Sequence, residues 1–349
     1  MRMWNRDLAA VLNFRHILNG LRETGVRPAR FVQQPPKDND KQPLLKRKLM
    51  ATNTEQVKLL NTATQNEDAP QTTQPTSPSN IDTGVIDQIL GKDEATQMKE
   101  AMTVIANSEA TLEAREIAFE NLELLVSQVD NANNLVPLGM WEPLLKLLKD
   151  PEPQIRSNAA LICGTSIQNN PKAQAAFQER DGLPLMLALL QGDNDGTVRD
   201  KAMFCVSAFV RQYPPGLKQF LESNGIDIIK TVLQNDGRPR MARRIYFLLA
   251  TLVKADEYKP HLAQHLIAGN MIDVVAGQIP RLAQAEGAWD ALEQALIVWI
   301  ELQKASPESL SDTLARYPET KATLQAIRQS PDSDIVCASV WDQLRAAGV

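Results

Sequence analysis

From about Ile81 onward, apolar residues recur at helical intervals. Ala118, Leu122, Leu125 and Val129 are spaced four, three and four apart, which places them on one face of a helix. No segment alternates with period two between hairpin turns, so a sheet is not expected. Capping residues followed by proline mark helix starts at Asp150-Pro151, Asn170-Pro171, Ser306-Pro307 and Ser330-Pro331. The polar side chain accepts from an orphan N–H, and proline in the first turn loses no hydrogen bond.

The helical pattern itself repeats. Gly139, Gly182 and Gly225 are 43 residues apart and Gly269 follows 44 later. Each precedes an apolar run: Leu144–Leu148, Leu183–Leu190, Ile226–Leu233 and Ile272–Ile279. Ile155, Val198 and Met241 keep the same 43-residue interval, as do the small residues Gly164, Ser207 and Ala250. Glycine before the apolar run permits a left-handed turn, and a small residue at a fixed helical place lets neighbouring helices approach closely. A period in the low forties with two or three helices per unit is that of armadillo or HEAT arrays. Such units bury their apolar faces on one another. The expected fold is all-α: a right-handed armadillo-type solenoid of about four repeats over 134–303. Capping helices are expected over 81–133 and 304–349.

Residues 1–80 do not share this pattern. Prolines 28, 35, 36 and 43 interrupt the first part, and 62–80 is built from Thr, Gln, Asn, Pro and Ser. A segment with so little to bury cannot offset its ordering entropy, so a disordered arm is expected. Residues 1–49 carry 11 Lys/Arg against 4 Asp/Glu, whereas the remainder carries 26 against 38. Met50-Ala51-Thr52-Asn53 reads like a protein start, so 1–49 is expected to be a dispensable extension or the product of an alternative translation start. The competing reading is a mitochondrial transit peptide, from six Arg within residues 1–30 against Asp7 and Glu23. Lys46-Arg47-Lys48 fits a nuclear signal, or simply solvated charge.

Composition narrows the function. The chain is 43% apolar but only 5% aromatic, which suits helices. An acidic main body argues against nucleic acid as a partner, because phosphate binding needs a basic face. No apolar run reaches the length of a membrane span, and no signal peptide is visible. Cys163, Cys205 and Cys337 do not form a disulfide pattern, which favours a reducing compartment, cytosol or nucleus. No catalytic constellation is present. His261 and His265 are four apart on one expected helix but lack companion ligands. Gly91-Lys92 is followed by Asp93 rather than a completed phosphate loop. Neither a cofactor nor a metal is expected. Trp141, Trp289, Trp299 and Trp341 do not recur at the repeat period, and Asn158 aligns with Lys201 and Arg244. The Trp and Asn ladders of armadillo proteins that read basic peptides are therefore missing, and Trp141 is assigned to the core.

Met98-Lys99-Glu100-Ala101-Met102, Ile117–Glu123, Val129–Asn134, Leu138–Leu145, Ile162–Asn170 and Val198–Ala202 resemble, in order and spacing, the fungal Fes-type nucleotide-exchange factors. These are armadillo proteins that act on the seventy-kilodalton heat-shock chaperone. The resemblance covers roughly residues 84–280. Lys58-Leu59-Leu60-Asn61 is similar to the family's amino-terminal segment, although Thr62 stands near its usual Trp. The resemblance implies a cytoplasmic monomer that binds the chaperone's nucleotide-binding domain and speeds ADP release. It implies chaperone contacts at Asn131, Ala132, Asn133, Arg199 and Arg243. Ala132 is expected in a polar inter-helix turn, and neither Ala132 nor Arg243 is expected in the core. Leu122, Leu125, Leu144, Ile162 and Phe204 are. The alternative is an armadillo scaffold with another partner.

Overall fold

Thr111, Asn170, Asp195 and Ser309 each accept from a backbone N–H in the first turn that follows them. Pro153, Pro171, Pro214, Pro239 and Pro318 each open a helix, where the ring's fixed φ is already helical. These signals delimit seventeen α-helices, and no strand, among the described residues. The structure is a computed structural model that describes residues 93–255, 259–306, 308–330, 336–346 and 349, excluding the side chains of 259–261. The expectations for the arm, for Met50 and for Lys58–Asn61 lie outside the described residues, as do Pro307, Pro331 and the side chain of His261.

Helices α1 (Glu94–Ala106) and α2 (Leu112–Val126) pack on each other. Four triads follow. They are α3 (Val129–Asn134), α4 (Trp141–Leu147) and α5 (Pro153–Ile167); α6 (Pro171–Gln178), α7 (Gly182–Gly192) and α8 (Gly196–Val210); α9 (Pro214–Glu222), α10 (Gly225–Asn235) and α11 (Pro239–Lys254); and α12 (Lys259–Ala268), α13 (Met271–Gln284) and α14 (Trp289–Ala305). Helices α15 (Leu310–Arg316), α16 (Pro318–Gln329) and α17 (Ala338–Ala346) come last. The third helices α2, α5, α8, α11 and α14 lie side by side in that order, and α7, α10, α13 and α16 form a second row. This is the α-solenoid that the repeat predicts, with one apolar core running between the rows.

The core explains much of the spacing. Trp141, Phe177, Phe209 and Tyr213 form an aromatic chain with successive centroids 5.9, 5.3 and 5.5 Å apart, distances at which tilted rings attract. A Cβ on Gly164 would lie 2.7 Å from the Phe204 ring and 3.1 Å from the Cys205 Cα, so this glycine does permit the close approach of α5 and α8. Gly182 and Gly225 act differently from expectation. The left-handed residues are Asp181 and Asn224, at φ 53° and 56°, whose side chains tolerate that conformation. Each glycine opens the next helix against a buried ring, Phe177 or Phe220, which a Cβ would meet at 2.3 Å. Gly139 does take a left-handed φ of 65°. Gly269 is out of register: Asn270 is left-handed and Met271 opens α13.

Other expectations shift for local reasons. Asp150 does not start a helix; α5 begins at Pro153, and the Asp150 carboxylate accepts from Glu152 N–H instead. Ser306 and Ser330 end α14 and α16. Leu122, Leu144 and Ile162 are buried, but Leu125 and Phe204 are only half-buried. Val129 leaves the core face because α2 ends at Val126, and it is exposed.

Candidate interaction surface

The arginines near the start of each third helix come first, because they decide which charges are available to a partner. Arg115, Arg156 and Arg199 are the fourth residues of α2, α5 and α8. Arg115 pairs with Asp150 at 3.0 Å, Arg156 with Asp193 at 2.7 Å and Arg199 with Asp236 at 3.3 Å. The three aspartates are 43 residues apart. Arg156 and Arg199 also donate to backbone carbonyls of the connection before their own helix, at Asp150 O and Asp193 O. Each aspartate accepts from the N–H two residues on. Every rung thus ties one unit to the next and closes a turn as well. Burial alone would raise the Asp193 carboxyl. The Arg156 hydrogen bond, the Asp195 N–H and the charges of Arg156 and Arg199 outweigh it and hold the group below the usual carboxylate range. Asp236 behaves alike, with Arg238 as its main hydrogen-bond partner.

Arg199 is therefore a structural rung, and its guanidinium is committed within the protein. Asn131 and Ala132 also differ from expectation. They lie in the short helix α3 rather than in a turn, with relative exposures of 3% and 2%. Asn131 Nδ2 donates to Glu94 Oε2 at 2.7 Å and to Leu125 O at 3.1 Å, pinning the start of α1 to the end of α2. Asn133 is half-buried, and its Oδ1 is buried without a hydrogen-bond partner among the described residues. Arg243 is accessible: its side chain is 41% exposed and pairs with exposed Asp290 of α14 at 3.1 Å. Among the five residues, Arg243 alone presents an accessible charge.

What the geometry does gather lies on the third-helix row. Asn158 of α5, Lys201 of α8 and Arg244 of α11 stand at equivalent repeat positions and are half-buried. Arg244 donates to Asp200 O at 2.9 Å and lies 5.8 Å from the Phe204 ring centroid, within cation–π range. Burial lowers the Arg244 guanidinium; Asp200 opposes that shift, and Arg240 and Arg243 add to it. Burial likewise lowers the Lys201 ammonium. Glu123 of α2 and Asp200 work against that shift, and Arg244 and Arg240 reinforce it. Arg238 is held by Asp236 and Asp200, and by Gly196 O. The face thus runs from Glu123 through neutral Asn158 and a cationic centre to the Arg243–Asp290 pair. Alignment of Asn158, Lys201 and Arg244 was visible in the sequence; the convergence of Arg238, Arg240 and Arg244 on Asp200 was not, because it depends on how α11 packs beside α8.

Among the described residues, no group of three or more His, Cys, Asp or Glu is placed to hold a metal, and no helix is long and apolar enough to cross a membrane. The Cys163, Cys205 and Cys337 thiols are unpaired.

Residues 131–268 match the family model for the SIL1/FES1/HPBP1 C-terminal domain, and residues 36–135 match that for nucleotide exchange factor Fes1. The Hsp70 nucleotide exchange factor fes1 of Schizosaccharomyces pombe is 41% identical over 133 residues, 38% of this chain and 46% of that one. The Kluyveromyces lactis protein of the same description is 46% identical over 119 residues, 34% of this chain and 41% of its own length. For the Coccidioides immitis protein the identity is 41% over 145 residues, 41% of this chain and 68% of that protein. The chain thus spans under half the length of the first two relatives. Among solved structures, a designed armadillo repeat protein superposes with a TM-score of 0.52 at 15% identity, covering 73% of this chain and 98% of its own. An engineered structural-genomics target gives 0.54 at 15%, covering 74% and 98%.

Proposed function

This chain belongs to the Fes1 family of nucleotide exchange factors, and on that premise we propose that it binds the nucleotide-binding domain of the seventy-kilodalton heat-shock chaperone and accelerates ADP release. The observation that carries this reading is the continuous run of family similarity, residues 36–135 and then 131–268, over the helices that form most of the charged third-helix row. Such a row offers a broad side-chain surface with no chemistry of its own. The protein hydrolyses nothing and holds no cofactor.

The mechanism is one of unequal affinity. The solenoid binds the open, nucleotide-free chaperone more tightly than the closed one. Linkage then requires that it weaken ADP binding by the same factor. ADP leaves, ATP enters and the client is released. A tenfold effect corresponds to about 1.4 kcal/mol of coupling, which a few interfacial contacts supply. Arg243 is the residue from the family-derived set whose exposure suits direct contact. Asn133 is a second candidate, through its Oδ1. Asn131, Ala132 and Arg199 support the surface from beneath. A single copy is sufficient for this mechanism, and the unpaired thiols suit a reducing compartment, with the cytosol as the site of action.

Chaperone loaded with fluorescent ADP tests the proposal. Excess unlabelled nucleotide and saturating amounts of this protein are expected to speed release of the label severalfold or more. Release at the unassisted rate would instead favour an armadillo scaffold with another partner.

A further inference from the structure

Among the described residues, every exposed large apolar side chain falls between 104 and 136, at the amino-terminal end of the solenoid. Leu124 of α2 is 73% exposed and Val129 of α3 is 57% exposed. The repeat shows what covers this ground elsewhere. Helix α2 heads the third-helix row and packs on α1, as α5, α8, α11 and α14 pack on the second helices α4, α7, α10 and α13 of their triads. Helices α1 and α2 are therefore the second and third helices of an earlier unit. In the complete triads the first helix lies against the third: α3 packs on α5, and α12 on α14. Gln174 of α6 donates to Ala208 O at 3.0 Å, and Ala208 is the thirteenth residue of α8, as Leu124 is of α2. Ala208 is buried, and Thr165 and Thr251, the thirteenth residues of α5 and α11, are half-buried. Successive first helices also touch, α3 on α6, so a first helix ahead of α3 would lie beside it, where Val129 begins α3.

The chain carries a matching segment at the right distance. In the four triads the first helix ends three to seven residues before the second begins, so one ahead of Glu94 would end within 87–91. Val85, Ile86, Ile89 and Leu90 are one, three and one apart, an apolar stripe on one side of a helix. Gly91 follows, the residue type that most readily ends a helix, and Asp93 then caps α1 by accepting from Thr96 N–H. We propose that residues 84–90, which lie outside the described residues, form this first helix and dock their apolar stripe on Leu124 and Val129. The amino-terminal unit is then a further triad, and the solenoid end is closed by its own chain instead of a partner, as a terminal repeat must be. The entry point suits this. Gln128 and Asn131, just beyond α2, hydrogen-bond to Glu94 at the start of α1, at 3.2 and 2.7 Å. The chain thus reaches α1 beside the uncovered side chains, and residues 84–90 need only fold back across Gly91 and Lys92.

The test uses the full chain and does not depend on the exchange-factor reading. Leu124→Ser and Ile89→Ser are each expected to lower the melting temperature by several degrees, whereas replacing an uncovered surface residue changes it little. The double variant is expected to lose less than the sum of the two, because both side chains belong to one contact. Proximity is read on a Cys337→Ser background, which removes the exposed thiol. There, Ile89→Cys with Leu124→Cys is expected to form a disulfide on mild oxidation with diamide. Ile89→Cys paired with Lys218→Cys, at an exposed site on α9, is expected to stay reduced. Unchanged melting of Leu124→Ser and Ile89→Ser, or equal cross-linking of the two cysteine pairs, would overturn the docking. Self-association of wild type in sedimentation velocity, lost in Leu124→Ser, would overturn it in favour of a second copy. Chaperone binding weakened by Leu124→Ser, with normal melting of both serine variants, would overturn it in favour of the chaperone.

Discussion

Ala132 and Arg243 share a family-derived expectation but differ in what surrounds them. Ala132 has no room: it is buried in α3, with its N–H bonded to Gln128 O at 3.0 Å and its carbonyl accepting from Leu135. Ala132→Arg forces a long cation into that space, and a loss of roughly 3 kcal/mol or more is expected, from overpacking and an unpaired buried charge. Thermal melting would show it, and normal melting of that variant would mean the helix can swing out. Arg243→Ala is expected to melt within a degree or two of wild type, since an exposed ion pair contributes under about 1 kcal/mol, and to dissociate from the chaperone faster. Leu144 is fully buried, so Leu144→Ala is expected to cost about 2–5 kcal/mol through the cavity it leaves, read by denaturant unfolding. At this scale the sequence was informative about type and silent about depth. Asp, Asn and Asn around Ala132 look like turn chemistry, and the Glu94 carboxylate that draws Asn131 inward is 37 residues away.

Between helices, the units are joined by the rungs and by apolar packing. Asp193 illustrates the first: its side chain is 5% exposed and takes two hydrogen bonds from Arg156. Asp193→Ala strands that guanidinium and is expected to cost about 3 kcal/mol; a loss below about 1 kcal/mol in urea unfolding would show the rung to be ornamental. The folded pKa of Asp193 and Asp236 is depressed, so their contribution is full above the unfolded value of about 3.9 and disappears as pH falls through the lower folded value. Stability is therefore expected to hold from neutral pH down to about 5 and then to decline, and the Asp193→Ala variant to decline less steeply. The rungs were legible in the sequence as aspartates at 43-residue intervals, but they were hidden by the glycines and apolar runs of the same period. Gly182 and Gly225 were found for the right spacing and the wrong cause. A left-handed turn and a ring pressed on the backbone both favour glycine, and only the position of Phe177 and Phe220 separates the two.

For the whole molecule, the period set the architecture because each unit can bury its apolar face only on its neighbours. The charged third-helix face was less legible, since it is assembled from α2, α8, α11 and α14, which are far apart in sequence. The rungs also stop part-way. Asp193 and Asp236 are the C-caps of α7 and α10, whereas the C-cap of α13 is Ala285, so that step carries an apolar residue in place of the acid. The array is thus held by two kinds of glue with different weaknesses. Acid and salt act on the ionic steps from Arg115 to Asp236, whereas cold acts on apolar burial. Amide exchange recorded during mild acidification is expected to melt protection first across α2 to α8 while α13 and α14 stay closed. Cooling toward freezing is expected to loosen α13 and α14 ahead of the amino-terminal helices. One continuous helical stack would then come apart from opposite ends according to which solvent property is changed.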